Sequence, residues 1–248
     1  MSRMTRWVQA AFEAFGLSVT RFGPANRFDA MTDSLRRIAR AGFGPTVIID
    51  AGANMGQWAR KVSDAFPTAP LHLIEPQPAC QTALLAFSSA RGYSEIHATA
   101  VTRPGRTSVR MTGAGAGSSG AHVLGDAERG QDESWLPATT LDRLFAHVRE
   151  SDRVLLKLDL EGHELDAIDG AEALLPRVEV LVTETQFYEV ERNGSPTFAD
   201  LMAVLGERGF VLYDVAALAS RPRDGRLRMG DVIFVRRGSA LIGDDRWA

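Results

Sequence analysis

The stretch Val47-Ile48-Ile49-Asp50-Ala51-Gly52-Ala53-Asn54-Met55-Gly56 decides the fold. Thr46–Asp50 is a short apolar run rich in β-branched side chains, the pattern of a buried strand. It ends in an acid, which is followed by a turn containing Gly52 and Gly56. A helical stretch, Gln57–Phe66, comes next and is closed by Pro67 and Pro70. Strand, glycine turn and helix in that order open a unit of the α/β class.

Working outward, the same rhythm repeats. Leu71–Glu75 and Glu95–Val101 read as strands, and Ala79–Arg91 reads as the helix between them, with Leu84, Leu85 and Phe87 facing inward. Further on, Val154–Asp159, Val178–Glu184, Phe210–Val215 and Asp231–Val235 are expected strands, with a charged turn at Arg221–Arg228. Leu141–Arg149, Glu164–Leu174 and Thr197–Arg208 are expected helices. Upstream, Met1–Phe15 and Arg27–Ala41 have helical spacing, and the first is read as a helix docked on the core. Between Thr102 and Ser134 the rhythm breaks into a glycine-rich insertion, with one hairpin strand expected at Thr107–Met111. A stretch this long without regular structure favours a lid on the substrate side. The expected organisation is an N-terminal helical extension over residues 1–44 and one domain over 45–248 that carries the insertion at 102–134. Strand–helix alternation predicts a mostly parallel sheet with helices on both faces. Ligands in such sheets bind at the carboxyl ends of the strands, which directs attention to Asp50, Glu75, Ala98–Ala100, Asp159 and Glu184.

Composition narrows the function classes. The chain has 248 residues, 45% hydrophobic and 24% charged, with a net charge of −3. That balance lacks the basic domain or stripe of a nucleic-acid binder, so no nucleic-acid partner is expected. Cys80 is the single cysteine, so no internal disulfide and no cysteine-based zinc site can form, which fits a reducing cytoplasm. No apolar run approaches the ~18 residues of a spanning helix. A homo-oligomer is left open.

The glycine turn limits the ligand. A dinucleotide fingerprint needs a third glycine, and a Walker loop needs Gly-Lys-Ser/Thr where Gln57-Trp58 stands. Asp50 beside a pyrophosphate would be repelled. S-adenosylmethionine has no phosphate and carries a cationic amino group and a sulfonium, so an acid at the first strand tip suits it. Glu75, at the second tip, suits a pair of ribose hydroxyls, a role it would share with a nicotinamide site.

VIIDAGANMGQWA, LIEPQP, the pair Leu141-Asp142 and KLDLEGHELDAIDGA, in this order, resemble the FkbM family of methyltransferases over roughly Val47 to Glu184. The resemblance implies a class I methyltransferase (Rossmann-like) fold with a seven-stranded sheet in the order 3-2-1-4-5-7-6, its last strand antiparallel. It implies S-adenosylmethionine held by Asp50, Gly52, Asn54, Gly56 and Glu75, with Pro76 and Ala100 alongside. It also implies O-methylation of natural products, sugars or glycolipids. His163 departs from the family, which often has a small residue there.

Lys157-Leu158-Asp159-Leu160-Glu161-Gly162-His163-Glu164 is the candidate catalytic block. Alternation puts Lys157 and Asp159 on one face of their strand, where a structural ion pair is the plain reading. A neutral hydroxyl needs help to lose its proton. In the preferred scheme His163 is the general base, oriented by Asp159, Glu161 or Glu184. In the second, those three acids hold Mg²⁺. Glu164 is read as an acid favoured at a helix N-terminus. His122 is a lesser candidate, Tyr188 and Trp135 are candidate pocket walls, and His72, His97 and His147 are read as structural or surface residues. Two rival functions stand beside this one: a nicotinamide-dependent oxidoreductase, and a non-catalytic methyltransferase-like binding protein.

Overall fold

The computed structural model describes residues 27–113, 120–125, 133–189 and 195–243. The expected helix Met1–Phe15 and the glycine-rich stretches 114–119 and 126–132 lie outside the described residues. Helix α1 is Arg27–Arg40, followed by β1 (Val47–Ala51), α2 (Gln57–Ala65), β2 (Leu71–Ile74), α3 (Pro78–Arg91) and β3 (Ser94–His97). The insertion region contains β4 (Ala100–Val101), β5 (Ser108–Thr112), β6 (His122–Val123) and β7 (Ser134–Thr139). Then come α4 (Leu141–Leu144), β8 (Val154–Leu158), α5 (Glu164–Asp169), β9 (Val178–Gln186), α6 (Phe198–Glu207), β10 (Phe210–Ser220) and β11 (Leu227–Arg236).

The seven-stranded sheet has the order β10-β11-β9-β8-β1-β2-β3. Strands β3, β2, β1, β8 and β9 run parallel, and β11 is antiparallel to both β9 and β10. This is the class I methyltransferase arrangement. The middle strands β1 and β8 are buried at every residue, because helices cover both faces. Ile49, Leu156 and Leu158 face one core layer with Leu141, Phe145 and Ile168. Ile48, Leu71 and Leu155 face the other with Leu35, Ile38 and Val62. Helix α1 is tied to β10 by Asp214, which accepts from Ser34 Oγ at 3.0 Å and from Arg37 Nη2 at 2.7 Å. No helix among the described residues is long and apolar enough to cross a membrane.

Four expectations are corrected. The third strand is not one run: it pairs with β2 as far as His97, then crosses at Ala98-Thr99 so that Ala100–Val101 pairs with β7. Beyond the expected hairpin strand, which is β5, the insertion also holds β6, and these two join β4 and β7 at its flanks in a second sheet over a small core of Val109, Met111 and Leu136. Leu85 is 58% exposed although Leu84 is fully buried. Successive residues of a helix are about 100° apart, so the two cannot share a face. Helix α4 stops after Leu144, where the chain turns and Phe145 enters the core.

The Leu141-Asp142 pair now has a structural account. Leu141 is fully buried. The Asp142 carboxylate accepts from Leu174 N at 2.8 Å and from Ala173 N at 2.9 Å, which ties α4 to the chain leaving α5. Hydrogen bonds to a charged group are worth ~1.5–3 kcal/mol each in a protein. Asp142→Ala is expected to lower the urea midpoint by the equivalent of about 2 kcal/mol at unchanged m. An unchanged midpoint would show that water replaces the carboxylate at no cost.

Candidate active site

The carboxyl ends of β1, β2, β8 and β9 open onto a cavity of about 410 Å³. Its volume falls in the range of small-molecule sites, ~300–1,000 Å³. Gly52, Asn54, Glu75, Pro76 and Ala100 line it on the expected cofactor side, and Asp159, Glu161, His163 and Glu184 on the expected catalytic side. Met111, Ala121 and Val123 of the second sheet form another wall, and Met31 of α1 adds to it. His122, Trp135 and Tyr188 do not line the cavity. Trp135 is 70% exposed, and Tyr188 lies under Arg226, 3.9 Å from the guanidinium carbon.

Asp50 and Gly56 are set back from the cavity. Asp50 is fully buried, and the β1–β8 register places it beside Lys157. Lys157 Nζ lies 3.1 Å from Asp50 Oδ1, 3.1 Å from Asp159 Oδ2 and 3.3 Å from the Gly52 carbonyl. Burial pushes the Lys157 ammonium down, but Asp159 and Asp50 together outweigh it and hold the group well above its ordinary value. Burial pushes the Asp50 carboxyl up against the pull of Lys157. The positive partner that the sequence reading sought for Asp50 in a ligand is therefore supplied by Lys157. Asp50 Oδ2 is buried and accepts from no described residue. Gly52 makes this packing possible: a Cβ there would sit 1.9 Å from the Asp159 carbonyl oxygen, and its φ is +85°.

Glu75 organises the opposite side. Its Oε2 accepts from Asn54 N at 2.8 Å and its Oε1 from Gln77 N at 2.9 Å, so one carboxylate holds both ligand loops. Burial raises its pKa, and these backbone donors oppose that rise. The Gln77 side chain donates to the same carboxylate. A carboxylate offers about four lone-pair sites, which leaves it room for a further donor such as a ribose hydroxyl. Together with the open volume beside Gly52 and Asn54, this donor set fits S-adenosylmethionine.

The loop after β8 is held under tension. Glu161 has φ 52° and Gly162 φ 104°. A Cβ on Gly162 would lie 2.5 Å from Ser195 Oγ. Glu164 reaches back, its Oε1 accepting from Leu160 N at 2.9 Å and Gly162 N at 3.3 Å. A non-glycine residue with positive φ costs ~1–3 kcal/mol and persists only where its surroundings fix it. Glu164 thus braces the loop that presents Glu161 and His163, a stronger role than a helix-terminal charge.

His163 is oriented differently from expectation. Its Nε2 lies 3.0 Å from Thr102 Oγ1 and 3.4 Å from Asp166 Oδ2, and none of Asp159, Glu161 and Glu184 makes that contact. Asp166 is three residues on, a helical neighbour, so that spacing was available in the sequence. Thr102 begins the insertion, far away in the chain, and nothing local pointed to it. Burial pushes the His163 ring below the usual imidazole value, Asp166 pulls it up, and Arg106 and Arg103 lower it further. Asp231 also lines the cavity, because the β9–β11 register sets it opposite Glu184. Sequence reasoning passed over Asp231 because only strand pairing reveals this neighbour.

Burial raises Glu164 from 4.5 to about 7. The folded chain keeps this proton where the unfolded chain releases it. The contribution to stability is complete below pH 4.5 and is lost as pH rises through about 7. Urea midpoints measured across that window are expected to decline in the wild type and to decline less in Glu164→Gln. Parallel curves would mean that Glu164 ionises equally in both states. Lys157→Met leaves Asp50 without its countercharge and is expected to cost ~3–5 kcal/mol. Adding Asp50→Asn should recover part of that loss in the same denaturation assay.

The sequence profile of the methyltransferase FkbM domain matches residues 50–212. No curated protein matches the sequence. Among solved structures, the chain is similar to a precorrin-6Y C5,15-methyltransferase from Geobacter metallireducens GS-15, at 12% identity and TM-score 0.47, covering 89% of this chain and 93% of that one. It is similar to an rRNA methylase from Streptococcus thermophilus at 15% identity and TM-score 0.48, covering 87% and 99%. An O-methyltransferase family protein from Burkholderia thailandensis aligns at 13% identity and TM-score 0.45, covering 95% and 70%. The profile match spans more than half of the chain and includes both cofactor-side acids and the whole block after β8. This protein belongs to the FkbM family of S-adenosylmethionine-dependent methyltransferases.

Proposed function

We propose that the enzyme methylates a hydroxyl group of a small molecule, a sugar, glycolipid or polyketide natural product, with His163 as general base. One observation carries this reading: a half-buried imidazole in the cavity wall has one nitrogen fixed by Thr102 and Asp166. With the ring proton on Nε2 and directed at those acceptors, Nδ1 is the nitrogen that receives a proton. Asp166 then plays the part the sequence reading gave to Asp159, Glu161 or Glu184.

S-adenosylmethionine supplies an electrophilic methyl group, whose bond electrons stay on sulfur as the methyl passes to the acceptor oxygen. The chain has three tasks. Gly52, Asn54 and Glu75 hold the cofactor, with Asp50 and Gly56 setting the loop behind them. Pro76 and Ala100 border it. His163 takes the hydroxyl proton as the carbon–oxygen bond forms, which contributes ~10²–10⁴-fold. Met111, Ala121 and Val123 offer an apolar wall for the acceptor.

A second reading rests on Asp159, Glu161, Glu184 and Asp231, four acids on the cavity wall. They are hard oxygen ligands suited to Mg²⁺, which would supply Lewis acidity at the acceptor oxygen.

The experiment is S-adenosylhomocysteine release with a panel of hydroxylated sugars, glycolipids and polyketides, plus a structured RNA and an amine series. Turnover with RNA or amines alone would overturn the small-molecule hydroxyl assignment. His163→Ala is expected to keep cofactor binding by calorimetry and lose ~10²–10⁴ in kcat, whereas Glu75→Ala should lose cofactor binding. The acid limb of kcat/KM should fall below pH 6.5, and Asp166→Asn should move it lower still. Activity removed by a chelator and restored by Mg²⁺ would favour the second reading.

A further inference from the structure

Away from the cavity, strands β2 and β3 carry a second convergence of side chains. The parallel register sets His72 beside Glu95, and two-residue alternation returns His97 to the same face. His72 Nδ1 lies 3.2 Å from His97 Nε2 and 3.6 Å from Glu95 Oε2. Among the described residues, these three offer ligand atoms that all lie within 4.8 Å of one another. Phe145 packs edge-on against both imidazoles, with ring centroids 5.1 and 5.9 Å away. The His147 ring stands 6.1 Å from His72 in the turn after α4. None of the four polar residues lines the methyltransferase cavity.

A hydrogen bond between two neutral imidazoles would account for the His72–His97 contact alone. It leaves the carboxylate unexplained. His72 Nδ1 faces an imidazole nitrogen and a carboxylate oxygen together, and its single proton or lone pair satisfies only one of them. A cation at the centre satisfies all three. Zn–N bonds of ~2.0–2.1 Å in a tetrahedron place neighbouring ligand atoms about 3.3 Å apart. The observed spacings of 3.2 and 3.6 Å match that edge.

We propose that His72, Glu95 and His97 bind a divalent transition metal ion of the Zn²⁺ class, with His147 completing the tetrahedron. Two or three imidazoles with one carboxylate select Zn²⁺ and its neighbours over Mg²⁺ and Ca²⁺, which take oxygen ligands. The ion would fasten the four-residue edge strand β3 to β2 and to the turn after α4. Its role would be structural and separate from methyl transfer.

The test uses tag-free full-length protein, stripped with a chelator and titrated calorimetrically with Zn²⁺ alone, and with Co²⁺ as a spectroscopic probe. One equivalent is expected to bind, with a visible tetrahedral Co²⁺ spectrum and a raised melting temperature. His97→Ala should weaken Zn²⁺ binding by more than the ~100-fold that losing an outer-shell partner costs. Because His72 and His97 support the core, Glu95→Gln, on a side chain 66% exposed, provides a variant that keeps the fold, checked by circular dichroism. It should weaken binding and alter the Co²⁺ spectrum. Glu184→Gln and His122→Ala should leave both unchanged. Absence of stoichiometric binding, binding unaffected by both His97→Ala and Glu95→Gln, or binding lost in Glu184→Gln would each overturn the proposal.

Discussion

One buried ammonium group holds the active end of this sheet together. Lys157 Nζ sits between the carboxylates of Asp50 and Asp159 and against the Gly52 carbonyl. Removing two carboxylates and an ammonium from water is costly, and only close mutual contact offsets that cost. The contact exists because β1 and β8 are adjacent and in register, with Asp50 opposite Lys157. The same closeness excludes any side chain at Gly52. The glycine turn is therefore shaped by the protein's own charges before any ligand arrives.

From that centre the site spreads through two more carboxylates that act on backbone. Glu75 gathers the loops after β1 and β2 by accepting from Asn54 and Gln77. Glu164 gathers the loop after β8 by accepting from Leu160 and Gly162. Family-like motifs thus resolve into two kinds of residue. Asn54, Glu75, Asp159, Glu161 and His163 reach the cavity wall. Asp50, Asp142, Lys157 and Glu164 hold the backbone and the charges that place them, although Lys157 also touches the cavity.

Much of the fold was legible because its strands are short apolar runs that end in acids. The class, the glycine turn and the convergence at the strand tips followed from Thr46–Asp50, Leu71–Glu75 and Val154–Asp159 alone. What escaped depends on register. The acid facing Glu184 is Asp231, and the imidazole facing His72 is His97, and neither pairing has a local signature. The break at Ala98-Thr99 escaped because residues on both sides of it favour strands. Asp166, three residues from His163, is signalled by helical spacing, but the acids nearer the strand tip offer an equally good local signal.

That break has a consequence for how such an enzyme can diversify. Strand β4 leaves the main sheet to join β7, and the next residue, Thr102, touches His163. The sheet that β4 enters also supplies Met111, Ala121 and Val123 to the cavity. The surface that would sort acceptors and the hydroxyl that steadies the imidazole thus share one continuous backbone. If His163 is the base proposed above, remodelling the second sheet to admit a bulkier acceptor would shift Thr102 and the imidazole it contacts, so selectivity and chemistry in this scaffold would evolve together.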